Sequence, residues 1–263
     1  MAGKIMEKAK ENGKKYNVPA LDTAFKILDL LSQQRYREST LTEISNALSL
    51  SASACFRILY TLEELSLVNL NKQTKQYTLG PALVVLGERA KQNFDYIQLC
   101  KPYLQSVRDQ TGLTTVLVQK IRRDTVIYMD KVDGGDYSVN VSIGNKYNIT
   151  NGSFGKCFLA YSDKAGLDYI IKNNESFKDK SELEMNQLLQ ELEEVKKNGY
   201  AISYGEQIKG IFGVAAPIFN KNNEMILVLS SFGLTSIIPR KELDSIAAII
   251  KTTANEISKK LVY

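Results

Sequence analysis

The stretch LTEISNALSLSASACFRILYTLEELSLV, residues 41–68, decides how the front of the chain is read. Two short amphipathic patterns follow each other with almost no chain between them. Thr40-Leu41-Thr42-Glu43 has the form of a capping box, with Thr40 at the N-cap and Glu43 at N3. Leu41, Ile44, Ala47 and Leu48 supply the apolar stripe of the first pattern. The second predicted helix starts near Ser51. It carries Cys55, Ile58, Leu59 and Leu62 on one side and Ser53, Ala54, Arg57, Tyr60 and Thr61 on the other. Its first turn, SASA, is small and polar. A helix that only filled a core would not need such a turn, whereas one whose backbone approaches a partner closely would.

On the N-terminal side, Pro19 opens a predicted helix, ALDTAFKILDLLSQQ, with Leu21, Ala24, Ile27, Leu28 and Leu31 on one face. On the C-terminal side, LVNL (67–70) and QYTL (76–79) read as strands joined by the polar tip NKQTK. Three helices followed by a two-stranded ribbon is the order of a winged helix-turn-helix, and Gly80-Pro81 punctuates its end. In that motif the second helix of the pair lies in the DNA major groove with its first residues nearest the bases. Candidate DNA contacts are Thr42, Ser51, Ser53, Ala54 and Arg57, with Lys72 and Lys75 on the wing. Ser51 can cap the helix, Ser53 can donate to phosphate or base, and Arg57 can bond a guanine edge bidentately or hold phosphate. The competing reading is two packed helices of a structural bundle.

Composition narrows the rest. The 263 residues suit one large or two ordinary domains, and 44% apolar with 24% charged residues is ordinary for a globular protein. There is no histidine, which removes Ser-His-Asp and Cys-His catalysis and histidine metal ligation. Cys55, Cys100 and Cys157 are widely spaced and form no CxxC pair, so neither a disulfide framework nor a zinc site is predicted. No cofactor or metal is expected. The net charge of +5 suits an anionic partner. Residues 1–17 carry five lysines and two glutamates, and read as a basic flexible tail with no secretory character. No apolar run approaches membrane-spanning length, and a cytoplasmic protein is expected.

Residues 82–95 read as a connecting helix and 96–110 as another, stopped at Gly112. TTVLVQKI, TVIYMDKV and SVNVSIG (138–144) read as strands, and NGSFGKCFLAYS (151–162) as a turn entering a helix. An amphipathic helix over 181–199, three further strands (YAIS, IFGVAAPIF, MILVLSSF) and a helix from Pro239 to about Leu261 complete an α+β pattern.

NGSFGKC (151–157) admits three readings. As a phosphate loop it fails: only two residues separate Gly152 from Gly155, and Cys157 stands where Ser or Thr belongs. As a Ser-x-x-Lys pair, Ser153 with Lys156, it lacks companion motifs. As a helix N-terminus facing a cavity, it offers free N–H groups to an anion.

The segments ALDTAFKILDLLS, LTEISNALSLSASACFRILYTLEELSLV, QYTLGPALVVLG, YIQLCKPYLQSVRDQTG, VIYMDKVDG, IGNKYNITNGSFGKCFLAY and NGYAISYGEQIKGIFGVAAPIF, in this order, resemble the IclR-type bacterial transcription regulators over about residues 18–262. The resemblance implies a winged helix-turn-helix DNA-binding domain (18–80), a linker helix (81–95) and a GAF-like effector-binding domain (96–263). It further implies dimers, often paired into tetramers, on inverted-repeat operators, and response to small metabolites, often organic acids. Carried over position by position, the effector pocket would include Val139, Tyr147, Ser153, Phe154, Ser203, Ile211, Gly213, Ser230 and Phe232. This chain departs from the family pattern at Ala52 and Ala54, at Thr150 where His is usual, and at Ser203 where an acidic residue is usual. The expected function is a metabolite-controlled, non-catalytic regulator, its carboxylate ligand held at the N–H groups near Phe154–Cys157, with Lys156 a surface residue. The alternatives are a hydrolase using Ser153 and Lys156, or a small-molecule binding protein that does not bind DNA.

Overall fold

The computed structural model describes residues 18–92, 95–135 and 138–261. The predicted basic tail, 1–17, lies outside the described residues. The chain divides into two units, residues 1–93 and 94–263.

In the first unit, helix α1 (Pro19–Leu31) opens with proline at its first turn, where a missing N–H costs nothing. A two-residue strand β1 (Ser39–Thr40) leads into α2 (Leu41–Ala47). The capping box forms: the Thr40 N–H donates to Glu43 Oε2 at 2.7 Å, and the Glu43 N–H donates to Thr40 Oγ1 at 3.4 Å. Helix α3 (Ala52–Glu64) is capped by Ser51 Oγ, which accepts from the Ala54 N–H at 3.2 Å. Strands β2 (Val68–Leu70) and β3 (Gln76–Leu79) pair antiparallel, and β1 adds to the other edge of β3. Ile27, Leu31, Ile44, Cys55, Leu59 and Val68 are fully buried or nearly so between the three helices and the ribbon. Helix α4 (Ala82–Gln92) follows.

The second unit begins with α5 (Asp95–Thr111) and centres on one antiparallel sheet. Its strands are β4 (Thr114–Lys120), β5 (Thr125–Val132), β6 (Lys146–Asn148), β7 (Ala201–Tyr204), β8 (Ile211–Phe219) and β9 (Met225–Leu234), in the order β6-β5-β4-β9-β8-β7. One face carries α6 (Gly152–Ala160), α7 (Lys164–Asn173) and α8 (Glu182–Asn198), packed on Val116, Val126, Ala215 and Val228. The other carries α5 and α9 (Leu243–Lys260), packed on Leu117, Val214, Ala216, Leu227 and Leu229. Alternate residues of each strand thus go to opposite cores. Both faces being covered, β8 and the first half of β9 (MILVL) read as apolar runs, and the two serines that follow in β9, Ser230 and Ser231, are buried.

Two expectations are corrected. Residues 138–144 form no strand; only 146–148 pair with β5. The alternating S-V-N-V-S-I-G pattern arises because Val139 and Val141 turn inward from an irregular segment, which ends at Gly144 with φ +85°. Helix α7, in DKAGLDYIIKN, was not anticipated; its short apolar stripe buries only Ile170 fully.

Candidate functional site

In the second unit, three strands set a row of residues across the face beneath α6. Ser203 on β7 pairs with Gly213 on β8, which pairs with Phe232 on β9. With no side chain at its centre, the row leaves a gap. A cavity of about 240 Å³ opens there, under the first turn of α6. A Cβ on residue 213 would stand 2.7 Å from Ser153 Oγ and 3.3 Å from a Phe232 ring carbon. Glycine at this position is therefore part of the cavity's shape.

Aromatic rings form the apolar wall. Tyr128 and Tyr147 lie 4.5 Å apart by ring centroid, and Phe154 meets Tyr128 and Phe232 edge-on at 5.9 and 6.2 Å. Burial, with the neighbouring Tyr147, pushes the Tyr128 phenol well above its ordinary pKa, so it stays a neutral donor. Val139 and Val141 come from the irregular segment, Gln207 and Ile208 from the loop between β7 and β8, and Ile211 from the start of β8. None of the described residues lining this cavity is charged.

The polar groups come from the first turn of α6. Ser153 is 1% exposed, and its Oγ has no hydrogen-bond partner among the described residues. Such an orphan is rare in a folded protein, and it points to a group supplied from outside the chain. The free backbone donors are those of Gly152, Ser153 and Phe154, because the Gly155 N–H already donates to Asn151 O at 2.9 Å. The expected donor window, Phe154–Cys157, therefore moves toward the N-terminus.

Lys156 is not the expected surface lysine. Its side chain is 14% exposed and its ammonium lies 2.8 Å from Glu206 and 3.1 Å from Glu191. It also donates to Ile202 O at 3.2 Å. Among the described residues no base meets Ser153 Oγ, and Lys156 is engaged by two glutamates, so the Ser153–Lys156 pair of the hydrolase reading is not formed.

In the first unit, Ser53 and Arg57 are exposed on the side of α3 opposite Cys55, Leu59 and Leu62, and Ala54 is half-buried at its edge. Thr42 is exposed in the first turn of α2. Lys72 and Lys75 are exposed at the hairpin tip, where Asn71 Oδ1 accepts from the N–H groups of Gln73 and Thr74. This is a helix-turn-helix with a small polar N-terminal turn, one arginine and a basic wing.

The model for the IclR helix-turn-helix domain matches residues 20–71, and that for the bacterial transcriptional regulator IclR C-terminal domain matches residues 89–259. The chain belongs to the IclR family. Among IclR relatives, the regulator XynR of Escherichia coli is 27% identical over 94% of this chain and 98% of its own length. The crystal structure of an IclR regulator from Alicyclobacillus acidocaldarius superposes with a TM-score of 0.80 at 36% identity, covering 93% of this chain and 99% of that one. An IclR homologue from Microbacterium hydrocarbonoxydans, solved in complex with 4-hydroxybenzoate, shares the fold with a TM-score of 0.78 at 16% identity, over 92% of this chain and 98% of that one. The protein is a DNA-binding transcriptional regulator with an effector-binding C-terminal domain.

Of the effector positions suggested by IclR resemblance, Val139, Tyr147, Ser153, Phe154, Ser203, Ile211, Gly213 and Phe232 line the cavity. Ser230 does not. It lies two residues from Phe232 on the same strand face, fully buried, and its hydroxyl donates to Val214 O at 3.1 Å. A buried serine on an apolar strand needs a partner, and a backbone carbonyl supplies it. Tyr128, Gln207 and Ile208 also line the cavity and were not anticipated. The paired glycines of GEQIKG (205–210) were a usable signal, since a loop bounded by Gly205 at φ +71° and Gly210 at φ +84° is built to turn sharply at both ends.

Proposed function

We propose that the effector is a small carboxylate with a flat, apolar body. Its charge faces the N–H groups of Gly152, Ser153 and Phe154, and its body lies among Tyr128, Tyr147, Phe154 and Phe232. The observation that carries this reading is the unpartnered, buried Ser153 Oγ at a helix N-terminus, in a cavity whose lining is uncharged. The positive end of the helix and a few charge-assisted bonds of about 1.5–3 kcal/mol each suffice without an arginine. An aromatic acid bound by a homologue of the same fold is consistent with this chemistry.

The site binds without turnover, and the protein acts in the cytoplasm. It works as a dimer on inverted-repeat DNA, and dimers pair into tetramers. Val84, Val85 and Leu86 on α4 are 68%, 49% and 53% exposed, and such a patch favours self-association. DNA is contacted by Thr42, Ser51, Ser53, Ala54 and Arg57, and by the wing lysines 72 and 75. Effector binding shifts the population of dimer arrangements, and the linker helix passes the change to the spacing of the two reading helices.

Titration calorimetry with matched acids and amides tests the pocket, with 4-hydroxybenzoate and its amide as the first pair. The acid should bind at least tenfold more tightly. Equal affinity of acid and amide would mean that the pocket selects on shape alone.

A further inference from the structure

We propose that Phe56 and Tyr60 read thymine methyl groups in the major groove, giving the protein a selectivity for A·T pairs that its hydrogen-bonding residues do not provide. The proposal rests on α3 being the DNA-reading helix. Both rings are exposed, 53% for Phe56 and 55% for Tyr60, on a helix whose opposite side is core. They stand one turn apart and touch each other, with ring centroids 6.4 Å apart and planes 39° from parallel. Phe56 has no polar atom to satisfy in water. Neighbouring exposed rings form an apolar patch that pays off only when a partner covers it.

The character of the face decides the partner. Ser53 and Arg57 are exposed beside these rings. The first turn offers the backbone N–H groups of Ala52 and Ser53, because Ser51 serves Ala54 and Cys55. Donors and a guanidinium suit phosphates and base acceptors, and the one apolar feature of the major groove is the thymine C5-methyl. A protein partner would match the rings but leave the cation and donors unmatched. Four residues of helix rise about 6 Å and base pairs stack about 3.4 Å apart, so the two rings address thymines roughly two steps apart. Ala52 and Ala54, small at the helix start, let the helix sit deep enough for the rings to reach.

The experiment uses the full-length protein and duplexes selected from random DNA. Each thymine of the selected site is replaced in turn by uracil, which removes only the methyl, and affinity is read by fluorescence anisotropy. Wild type should lose roughly fourfold, the worth of one buried methyl, at one or two thymines per half-site. Phe56→Ala and Tyr60→Ala should each bind the thymine and uracil duplexes equally at the corresponding position. Arg57→Ala should keep the methyl sensitivity while binding more weakly. Uracil tolerated by wild type at every position overturns the proposal, and so does a Phe56→Ala protein that still discriminates. Failure to select any DNA would remove the reading-helix assignment itself. That outcome is distinct from tight binding that ignores methyl groups.

Discussion

The ammonium of Lys156 lies 2.8 Å from Glu206, which joins the helix at the polar end of the cavity to the loop that supplies Gln207 and Ile208 to its lining. Glu191 on α8 shares the same ammonium at 3.1 Å. The lysine side chain is 14% exposed and the two glutamates 50% and 49%, so the pairs are screened on the acidic side only. Lys156→Met leaves two carboxylates facing one another and should lower stability by about 1–2 kcal/mol, between the values for exposed and buried pairs. Glu206→Gln should cost less than about 1 kcal/mol. Urea midpoints at constant m-value measure both, and a Lys156→Met protein as stable as wild type would return this lysine to the plain surface.

Ser153→Ala separates the two roles a buried hydroxyl can have. Without ligand, Ser153 Oγ lacks a partner, and its removal should leave stability unchanged or raise it. With ligand, loss of a donor to a charged group should weaken binding by about 1.5–3 kcal/mol. Opposite signs in thermal melting and calorimetry are the expected signature. A parallel fall in both would mean that the hydroxyl is a structural group.

Two glycines near the cavity should behave differently. A Cβ at residue 213 meets the end of the Ser153 side chain at 2.7 Å, and that hydroxyl can rotate away. Gly213→Ala should therefore fold within about 1 kcal/mol of wild type while reducing effector affinity tenfold or more. A Cβ at residue 155 meets Ile149 O at 2.5 Å and the Thr150 carbonyl carbon at 2.8 Å, both backbone atoms. Gly155→Val should cost more than about 2 kcal/mol and report on folding, not on ligand contact. Native binding by Gly213→Ala would place the ligand elsewhere.

The front of the chain was legible because its signals are local. Thr40 and Glu43 cap each other three residues apart, Ser51 caps its own helix, and the apolar stripes need no partner to be recognised. The strand row was half legible. Ser203 and Phe232 could be named as pocket positions, yet their meeting across Gly213 depends on sheet register, which no single segment encodes. The contacts of Ser230 and Lys156 were not legible, for one reason. Their partners, the Val214 carbonyl and the carboxylates of Glu191 and Glu206, are distant in sequence. Residues 138–144 alternate like a strand because the cavity, not a neighbouring strand, takes Val139 and Val141.

The three cysteines are all buried, and burial raises each thiol above its ordinary pKa, Cys100 to about 12. The thiolate is the reactive form, so at pH 8 none should react with an aromatic disulfide reagent in the native state. Three equivalents should appear together on unfolding in urea. One fast equivalent in native buffer would identify a local opening at that cysteine.

The DNA-reading face predicts both a salt dependence and a substitution pattern. Ser53 and Arg57 on α3 and Lys72 and Lys75 on the hairpin are exposed together on one small unit, and the proposed dimer would present the set twice. About six phosphate contacts in the complex would lower affinity on the order of a thousandfold between 50 and 200 mM salt. Lys72→Ala and Lys75→Ala should weaken binding to all sequences alike and make the salt slope shallower by about one unit each. Arg57 lies one turn beyond Ser53 on the exposed face of the helix, a position from which a side chain of a reading helix can reach base edges. Arg57→Ala should therefore cost about 1–3 kcal/mol and relax preference at one position per half-site. Anisotropy titrations over a salt series, on the selected site and on single-position variants, distinguish these outcomes. A uniform loss across sequences would make Arg57 a phosphate contact, and no loss at any salt would move the reading face off α3 altogether.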